Sequence, residues 1–226
     1  MICHVCGGRE FDFTEVLWTQ LIKEWQLAEY EVDYINRQQG LSCKSCGSNL
    51  RSIALAKGIL NSYGFKGTLS EFVDSSQVAD LKLLEINPAG SLTQILGRMK
   101  AHRLVTYPAY DMTKLAIDSS SIDLVVHSDT LEHVDNPVTA LSECRRVLSV
   151  DGRCIFTVPI IVDRLSRSRV GLPKSFHGIQ NESANDYFVQ FEFGMDIWKY
   201  VFKAGFSKMT FHCIEYPSGL AIEAGV

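Results

Sequence analysis

Four of the seven cysteines occur as two pairs with the spacing of metal ligands. Cys3 pairs with Cys6, and Cys43 with Cys46; two intervening residues let one tight turn present both sulfurs to the same ion. Glycine follows the second cysteine of each pair, where it lets the backbone turn without a Cβ clash. The spacing predicts one closed, structural zinc site with four thiolate ligands. Two redox-active or unliganded pairs are the alternative.

The segment between the two cysteine pairs has apolar and aromatic residues at helical spacing. Three of these residues share one predicted helix face, namely Leu17, Leu21 and Trp25. The pattern stops at Gly40 and predicts two short helices or one bent helix. Residues 1–57 carry six Lys or Arg and seven Asp or Glu, whereas a module that binds nucleic acid is normally basic. We therefore expect residues 1–60 to form a small helical zinc-binding module with a structural or docking role.

The composition is that of a globular protein with a sizeable core. The chain has 226 residues, of which 46% are hydrophobic and 21% charged, and its net charge of -4 favours neither nucleic acid nor an anionic membrane. It has neither an apolar run long enough to span a membrane nor a segment of the signal-peptide type, so we expect a reducing cytoplasm. In that compartment paired cysteines more often bind metal than form disulfides. The remaining cysteines lie in apolar segments and are predicted core residues: Cys144, Cys154 and Cys213.

Beyond residue 80, predicted strands and helices alternate along the chain. The predicted strands are apolar runs at 81–87, 103–108, 122–129, 152–160, 206–214 and 219–224. The predicted helices lie at 91–99, 136–149 and 192–205. Such alternation predicts an α/β fold in which helices cover both faces of a mostly parallel sheet. The connection between the last two strands is short enough for a hairpin, so the sheet should have an antiparallel edge.

The run from residue 111 to 159 carries a resemblance to a known family. It reads "DMTKLAIDSSSIDLVVHSDTLEHVDNPVTALSECRRVLSVDGRCIFTVP". It resembles the class I S-adenosylmethionine-dependent methyltransferases of the small-molecule, methyltransferase type 11-like kind. The similarity extends over roughly residues 81–226, and the cysteine module is similar to one found on some bacterial members. The resemblance implies a Rossmann-like domain over residues 61–226, with S-adenosylmethionine as the methyl donor.

The turn after the first strand of this domain departs from the family pattern. Glu85 ends the strand as the family's acidic residue does, but Asn87 and Gly90 stand in a run with a single glycine. Ser91 and Gln94 have the spacing of a capping box, which predicts a helix start with free N–H groups near the ligand. We expect this turn to hold the cofactor. The alternative is a plain connection between a strand and a helix.

The next strand lacks the acidic residue that in the family holds the cofactor ribose. Tyr107 stands in its place, where it could stack on adenine or donate to the ribose. The resemblance implies that Asp111 accepts from the adenine amino group and that Met112 lies against the ring. The missing glycines and the missing acid together argue against a nicotinamide-dependent dehydrogenase.

The stretch after the central strand, "HSDTLEHVDNP", is predicted to contain the catalytic residues. By resemblance, His127 and Ser128 border the methionine part of the cofactor, and Asp129 and His133 face the acceptor. If the acceptor is a hydroxyl, His133 is the candidate base that removes its proton. A structural histidine that bonds the turn is the alternative.

A long basic stretch at 161–187 follows the strand that ends at the ligand side. Its basic residues are the candidate substrate loop: Arg164, Arg167, Arg169, Lys174 and His177. Arginine binds phosphate and carboxylate through two parallel hydrogen bonds, so we expect a mobile cover that holds an anionic acceptor. The alternative is a solvated surface loop.

Together these features predict a methyltransferase acting on an oxygen or nitrogen of a small acceptor, such as a sugar, a glycan or a lipid precursor. Two alternatives stay open: an RNA methyltransferase with a zinc module, and a cofactor-binding protein without catalysis. Nucleic acid is disfavoured as a partner, and the sequence makes no prediction of oligomeric state.

Overall fold

The N-terminal segment folds back on itself and brings the two cysteine turns together. The computed structural model describes residues 1–176 and 188–226. Strand β1 (Phe11–Phe13) pairs antiparallel with β2 (Leu41–Cys43), and helices α1 (Thr19–Glu24) and α2 (Glu29–Gly40) lie between them. Position 40, where α2 ends, requires glycine because a Cβ there would lie 1.8 Å from the Thr14 carbonyl oxygen. Of the two predicted alternatives, two short helices or one bent helix that stops at Gly40, the structure has two helices.

Helix α3 (Leu50–Ser62) joins the cysteine turns to the rest of the protein. Its first turn is capped by Asn49, whose Oδ1 accepts from the Ser52 N–H at 3.0 Å. Further along, Gly58 lets the helix approach the main sheet, since a Cβ there would lie 3.1 Å from Ile155. The expected division at residue 60 therefore falls within a helix that packs on the sheet, and the two-domain organisation stays a prediction.

Besides short 3-10 turns, two further sheets and four further α-helices make up the regular structure of the described residues. Helix α4 is Leu69–Val73, α5 is Thr93–Leu96, α6 is Pro137–Val147 and α7 is Trp198–Lys203. The strands are β3 (Leu83–Ile86), β4 (His102–Val105), β5 (Ile122–Ser128), β6 (Leu148–Thr157), β7 (Ile160–Ile161), β8 (Arg167–Ser168), β9 (Phe191–Gly194), β10 (Lys208–Ile214) and β11 (Gly219–Gly225).

The main sheet has six strands in the order β10-β11-β6-β5-β3-β4. Strands β4, β3, β5 and β6 are parallel, whereas β11 runs antiparallel to β6 and pairs with β10 as a hairpin. One face of the sheet packs against α6 and α7, and the other against α3, α4 and α5. The predicted fold class, a mostly parallel sheet with helices on both faces and an antiparallel edge hairpin, is confirmed.

Two predicted helices are shorter than the sequence indicated. The segment predicted at 91–99 is a 3-10 turn, Gly90–Leu92, followed by the single turn of α5. The helix predicted to begin at residue 192 begins only after β9, because Phe191–Gly194 extends to pair with β7 and β8. Helical spacing in a short apolar segment does not exclude a strand. Here the pairing with β7 and β8 makes the segment 191–194 a strand.

The three-stranded sheet β7-β9-β8 packs against the N-terminal helices. Leu21 and Trp25 from the helical segment form a small apolar cluster with Ile161 and Val189. We call these helices and this sheet the roof. Strand β7 of the sheet follows the carboxyl end of β6, and the helices pack against the sheet. In the part of the chain that the structure describes, no helix is long and apolar enough to cross a membrane.

Candidate functional site

The candidate site lies where the strand order of the main sheet reverses. From β3 the chain crosses to β4 on one side, and it later returns to β5 on the other side of β3. In open α/β sheets, ligands bind in the crevice at the carboxyl ends of the strands at such a point. The predicted residues that follow β3, β4 and β5 therefore lie at one edge of the sheet.

Glu85 shapes the turn after β3 from beneath. Its side chain is completely buried, and Oε1 accepts from the Ala89 N–H at 2.8 Å and from the Thr93 hydroxyl at 2.6 Å. Its Oε2 lies 2.7 Å from Nε2 of His102, a partner that sequence reasoning missed. Both carboxylate oxygens are used in hydrogen bonds within the protein. Glu85 therefore acts on a ligand through the position of the backbone and not by direct contact.

Two left-handed residues give the turn its shape. Asn87 has φ of 56° and Gly90 has φ of 60°, a region that glycine and asparagine tolerate better than other residues. The Asn87 N–H donates to the Val105 carbonyl at 2.8 Å, and its Oδ1 accepts from the Tyr107 N–H at 3.0 Å. Asparagine thus takes over one of the glycine positions, which explains how the turn closes with a single glycine.

The capping box predicted for Ser91 and Gln94 does not form. Among the described residues, neither the 3-10 turn nor α5 has a side-chain cap. The Ser91 hydroxyl instead lies 2.8 Å from the hydroxyl of Ser48, which belongs to the second cysteine turn. The helix that follows is only four residues long, so the turn and not a helix terminus presents the backbone to the crevice.

The residues predicted to hold the adenosine follow β4. Tyr107 is 56% exposed, and Asp111 is exposed with Oδ1 accepting from the N–H and the hydroxyl of Thr113 at 2.8 and 2.7 Å. Met112 is 4% exposed and packs in the core that contains α6. Tyr107 and Asp111 are accessible to a ligand, whereas the Met112 side chain supports this loop from beneath.

His127 differs from its prediction. Its side chain is completely buried, and its ring stacks on Phe156 with 4.6 Å between centroids. Burial lowers the pKa of His127 to about 3, so the ring is neutral. The expectation that this side chain borders the cofactor methionine is wrong, because it shares the core-facing side of β5 with Val125. The neighbouring Ser128 bonds Thr157 through their hydroxyls at 2.8 Å and ties the ends of β5 and β6 together.

Asp129 forms a partly buried ion pair that sequence reasoning missed. Its Oδ2 accepts from the guanidinium of Arg51, in the first turn of α3, and from Nε2 of Gln39 at 3.4 Å. Burial lowers the pKa of Arg51 to about 10 although the nearby Glu132 raises it, so the guanidinium stays charged at neutral pH. The Arg51 Nε and the Asp129 Oδ1 are buried polar atoms without a hydrogen-bond partner. The signal in the sequence was an arginine in the first turn of a largely apolar helix, "LRSIALAKGIL".

His133 is held by the backbone just before β9. Its Nδ1 lies 2.9 Å from the Phe188 carbonyl oxygen, which requires that Nδ1 carries the proton and donates it. Its Nε2 lies 3.7 Å from Oε1 of the buried Glu132. The bond to Phe188 favours the structural alternative for His133. It also fixes the ring so that Nε2 is the atom able to accept a proton.

The arginines predicted to form a mobile substrate loop are held in ion pairs. Arg164 donates to Glu31 of α2 at 2.8 Å, and Arg167 donates to Glu192 of β9 at 2.6 Å. Arg169 is 4% exposed and also pairs with Glu192. The prediction of a mobile, anion-binding cover is wrong for these three side chains, because their acidic partners lie outside the 161–187 run. Lys174 is exposed, and His177 lies outside the described residues.

These arginines fasten the three-stranded sheet to the N-terminal helices. Arg164 also donates to the carbonyl oxygens of Trp25 and Gln26 at 2.8 and 2.7 Å. The Arg169 guanidinium lies 5.2 Å from the Trp25 ring centroid, and the Trp25 indole donates to the Ser175 hydroxyl at 2.8 Å. The described arginines of the basic stretch therefore form contacts between two parts of the chain.

The four paired cysteines converge on one point. Cys3 and Cys46 have their sulfurs 3.7 Å apart, as do Cys6 and Cys43, and all four sulfurs lie within 4.8 Å of one another. A tetrahedral zinc ion with sulfurs at about 2.3 Å requires sulfur–sulfur distances of about 3.8 Å. The residues present therefore fit zinc closely.

The glycines beside the cysteines have the conformation that the spacing predicted. Gly7 and Gly47 have φ of 83° and 72°, and their N–H groups donate to the carbonyls of Cys3 and Cys43 at 2.8 Å. Burial opposes ionisation of Cys43, but hydrogen bonds from the backbone of Cys46 and Ser45 lower its pKa to about 7. Such N–H groups favour the thiolate that a metal requires.

Comparison with known proteins finds one family model that matches part of the chain. Residues 67–156 match the family model described as a methyltransferase domain. None of the curated proteins compared with the chain matches it. The match to a methyltransferase domain over these residues agrees with the enzyme class predicted from the sequence.

Several solved structures have a similar fold at low identity. The CMeT domain of the citrinin polyketide synthase is 10% identical with a TM-score of 0.42; the match covers 64% of this chain and 46% of that one. The CurJ carbon methyltransferase is 13% identical with a TM-score of 0.45, covering 91% of this chain and 69% of that one. The 1,6-didemethyltoxoflavin-N1-methyltransferase of Burkholderia thailandensis, solved with S-adenosylhomocysteine, is 14% identical with a TM-score of 0.39. The match covers 69% of this chain and 74% of that one. This chain thus spans about half the length of the first of these.

Proposed function

We propose that this protein transfers the methyl group of S-adenosylmethionine to an oxygen or nitrogen of a small acceptor, such as a sugar, a glycan or a lipid precursor. The observation that carries the proposal is the turn at Asn87 and Gly90, which buried Glu85 shapes at the reversal point of the sheet. The polar cluster around Asp129 follows the neighbouring strand at the same edge. In this proposal, a cofactor platform and a polar acceptor site would adjoin each other.

The residues after β3 and β4 would hold the cofactor. Asn87 and Gly90 keep the backbone open to close approach, and the exposed Tyr107 and Asp111 are available to the adenosine. Ser128 and the Asp129 backbone would border its amino-acid end. The bound cofactor supplies an electrophilic methyl group on a sulfonium, so the main task of the protein is to align the acceptor with it.

The acceptor would lie beneath the roof, against Arg51, Asp129 and His133. Arg51 Nε is a buried donor and Asp129 Oδ1 a buried acceptor, which together suit a hydroxyl that both accepts and donates. Because Arg51, Arg164 and Arg169 are all paired within the chain, an anionic acceptor would depend on the exposed Lys174. For a hydroxyl acceptor, Nε2 of His133 is the proposed proton acceptor. No described feature favours an RNA substrate or a protein without catalysis.

The experiment that tests this function combines cofactor binding with turnover. We expect S-adenosylhomocysteine to bind with one site per chain, and Asp111→Ala to weaken that binding about fivefold, the value of a typical net hydrogen bond of about 1 kcal/mol. Calorimetry on both proteins measures this, and Asp118→Ala, which removes another exposed aspartate, is the control. A screen of hydroxylated and aminated acceptors for methyl transfer follows. Equal affinity in wild type and Asp111→Ala would mean that the adenine binds elsewhere.

We also propose that the four-cysteine site holds one structural zinc ion. Protein purified without added zinc should contain one equivalent, and Cys43→Ser combined with Cys46→Ser should remove it. Chelation should loosen the N-terminal segment before the main sheet, since zinc binding and local folding are coupled. Metal analysis and hydrogen exchange are the measurements, with Cys213→Ser as the cysteine control. A full zinc content in the double variant would exclude this site.

A further inference from the structure

Ser48 connects the cysteine site directly to the turn proposed to hold the cofactor. Its carbonyl oxygen accepts from the Cys43 N–H at 2.9 Å and so closes the second cysteine turn. Its hydroxyl lies 3.3 Å from the Cys46 sulfur and 2.8 Å from the Ser91 hydroxyl. Ser48 is completely buried, so water does not compete for these bonds.

The residues that follow Ser48 reach the same turn and the acceptor cluster. The Ser52 hydroxyl lies 3.6 Å from the position that a Cβ on Gly90 would occupy. Between them, Asn49 caps α3 and Arg51 pairs with Asp129. One short stretch after the second cysteine pair therefore contacts both halves of the crevice, which a separate docking module would not require.

We propose that Ser48 is a positioning residue through which the four-cysteine site fixes Ser91 and the cofactor turn. The inference rests on the proposed function. A sulfur bound to a metal has no proton, so it can only accept the hydrogen bond from the Ser48 hydroxyl. Each hydroxyl has one proton, and Ser48 must then accept from Ser91. With a metal bound, the hydrogen bonds from Ser91 to Ser48 and from Ser48 to Cys46 would all run in one direction and would hold Ser91 against the cysteine site.

This link compensates for the irregular start of the following helix. Ser91 has no capping role, and α5 is a single turn with little stability of its own. Glu85 fixes the turn from the sheet side, and Ser48 fixes it from the side of the cysteine site. The cysteine site would thus form part of the wall of the cofactor site.

The test is the affinity of zinc-loaded protein for S-adenosylhomocysteine, measured by calorimetry. Ser48→Ala should keep its zinc and lose roughly 3- to 10-fold in affinity, as expected for one or two neutral hydrogen bonds. Ser91→Ala should lose a similar factor, and the double variant should lose no more than either single variant. Ser45→Ala, an exposed serine in the same turn, is the matched control and should bind as the wild type does.

The outcomes separate this inference from the function on which it rests. If the wild type binds and zinc-loaded Ser48→Ala binds equally well, the positioning role is excluded while the proposed function stands. If the losses in Ser48→Ala and Ser91→Ala multiply in the double variant, the two serines act separately and the connection is again excluded. If the wild type does not bind S-adenosylhomocysteine, the proposed function itself fails.

Discussion

Replacing Glu85 by alanine is expected to lower the free energy of unfolding by about 3–5 kcal/mol. The carboxylate is completely buried and holds the Ala89 N–H, the Thr93 hydroxyl and the His102 ring, and all three lose their partner together. The turn at Gly90 is then no longer fixed from the sheet side. We expect binding of S-adenosylhomocysteine by the remaining folded protein to weaken by roughly tenfold or more, a change of about 1.4 kcal/mol. Urea denaturation and calorimetry measure the two effects.

The structure offers a matched control for this substitution. Glu223 on β11 also pairs with a histidine, His212, at 2.9 Å, but it lies in the other half of the sheet. Glu223→Ala should reduce stability without changing cofactor affinity. Glu85→Gln retains the oxygen that faces Ala89 and Thr93, so its losses should be smaller than those of the alanine variant. Unchanged cofactor affinity in folded Glu85→Ala would show that the turn does not take part in binding.

Replacing Arg51 by methionine is expected to be destabilising to a similar degree, by about 3–5 kcal/mol, and to abolish methyl transfer. The substitution leaves Asp129 without its cationic partner in a mostly buried site, and Glu132 loses a nearby positive charge. Combining Arg51→Met with Asp129→Asn should restore part of the stability, because both members of the pair are then uncharged. It should not restore activity, since both side chains line the proposed acceptor site. Denaturation and turnover of the single and double variants are the measurements.

Arg98 provides the comparison for an arginine outside the site. It pairs with Asp74 on the surface, where both side chains are well exposed, so Arg98→Met should cost less than about 1 kcal/mol. If the losses of Arg51→Met and Asp129→Asn simply add in the double variant, the pair is not coupled. Recovery of full activity in the double variant would instead place the acceptor elsewhere.

Local signals in the sequence predicted the framework of this protein well. The cysteine spacing and the following glycines predicted two turns whose sulfurs now converge, since that geometry depends on only a few consecutive residues. The apolar runs predicted the strands of the main sheet, and the short connection after β10 predicted its hairpin. These features are set by residues close together along the chain.

The features that the sequence analysis missed depend on partners far apart along the chain. Glu31 and Glu192 bind the arginines of the 161–187 run, and Arg51 reaches Asp129, through contacts that only the folded chain creates. The family resemblance places His127 in the crevice. The alternation of side chains along β5 puts it on the same face as Val125, in the core.

A crystal structure of the protein with S-adenosylhomocysteine tests the central claim most directly. We predict that the ligand lies across the turn at Asn87 and Gly90, with its adenine toward Asp111 and its amino-acid end toward Asp129. The Glu85 and Ser48 contacts that hold this turn should be retained. Ligand bound at another place, or a crevice that stays empty at saturating concentration, would contradict the account.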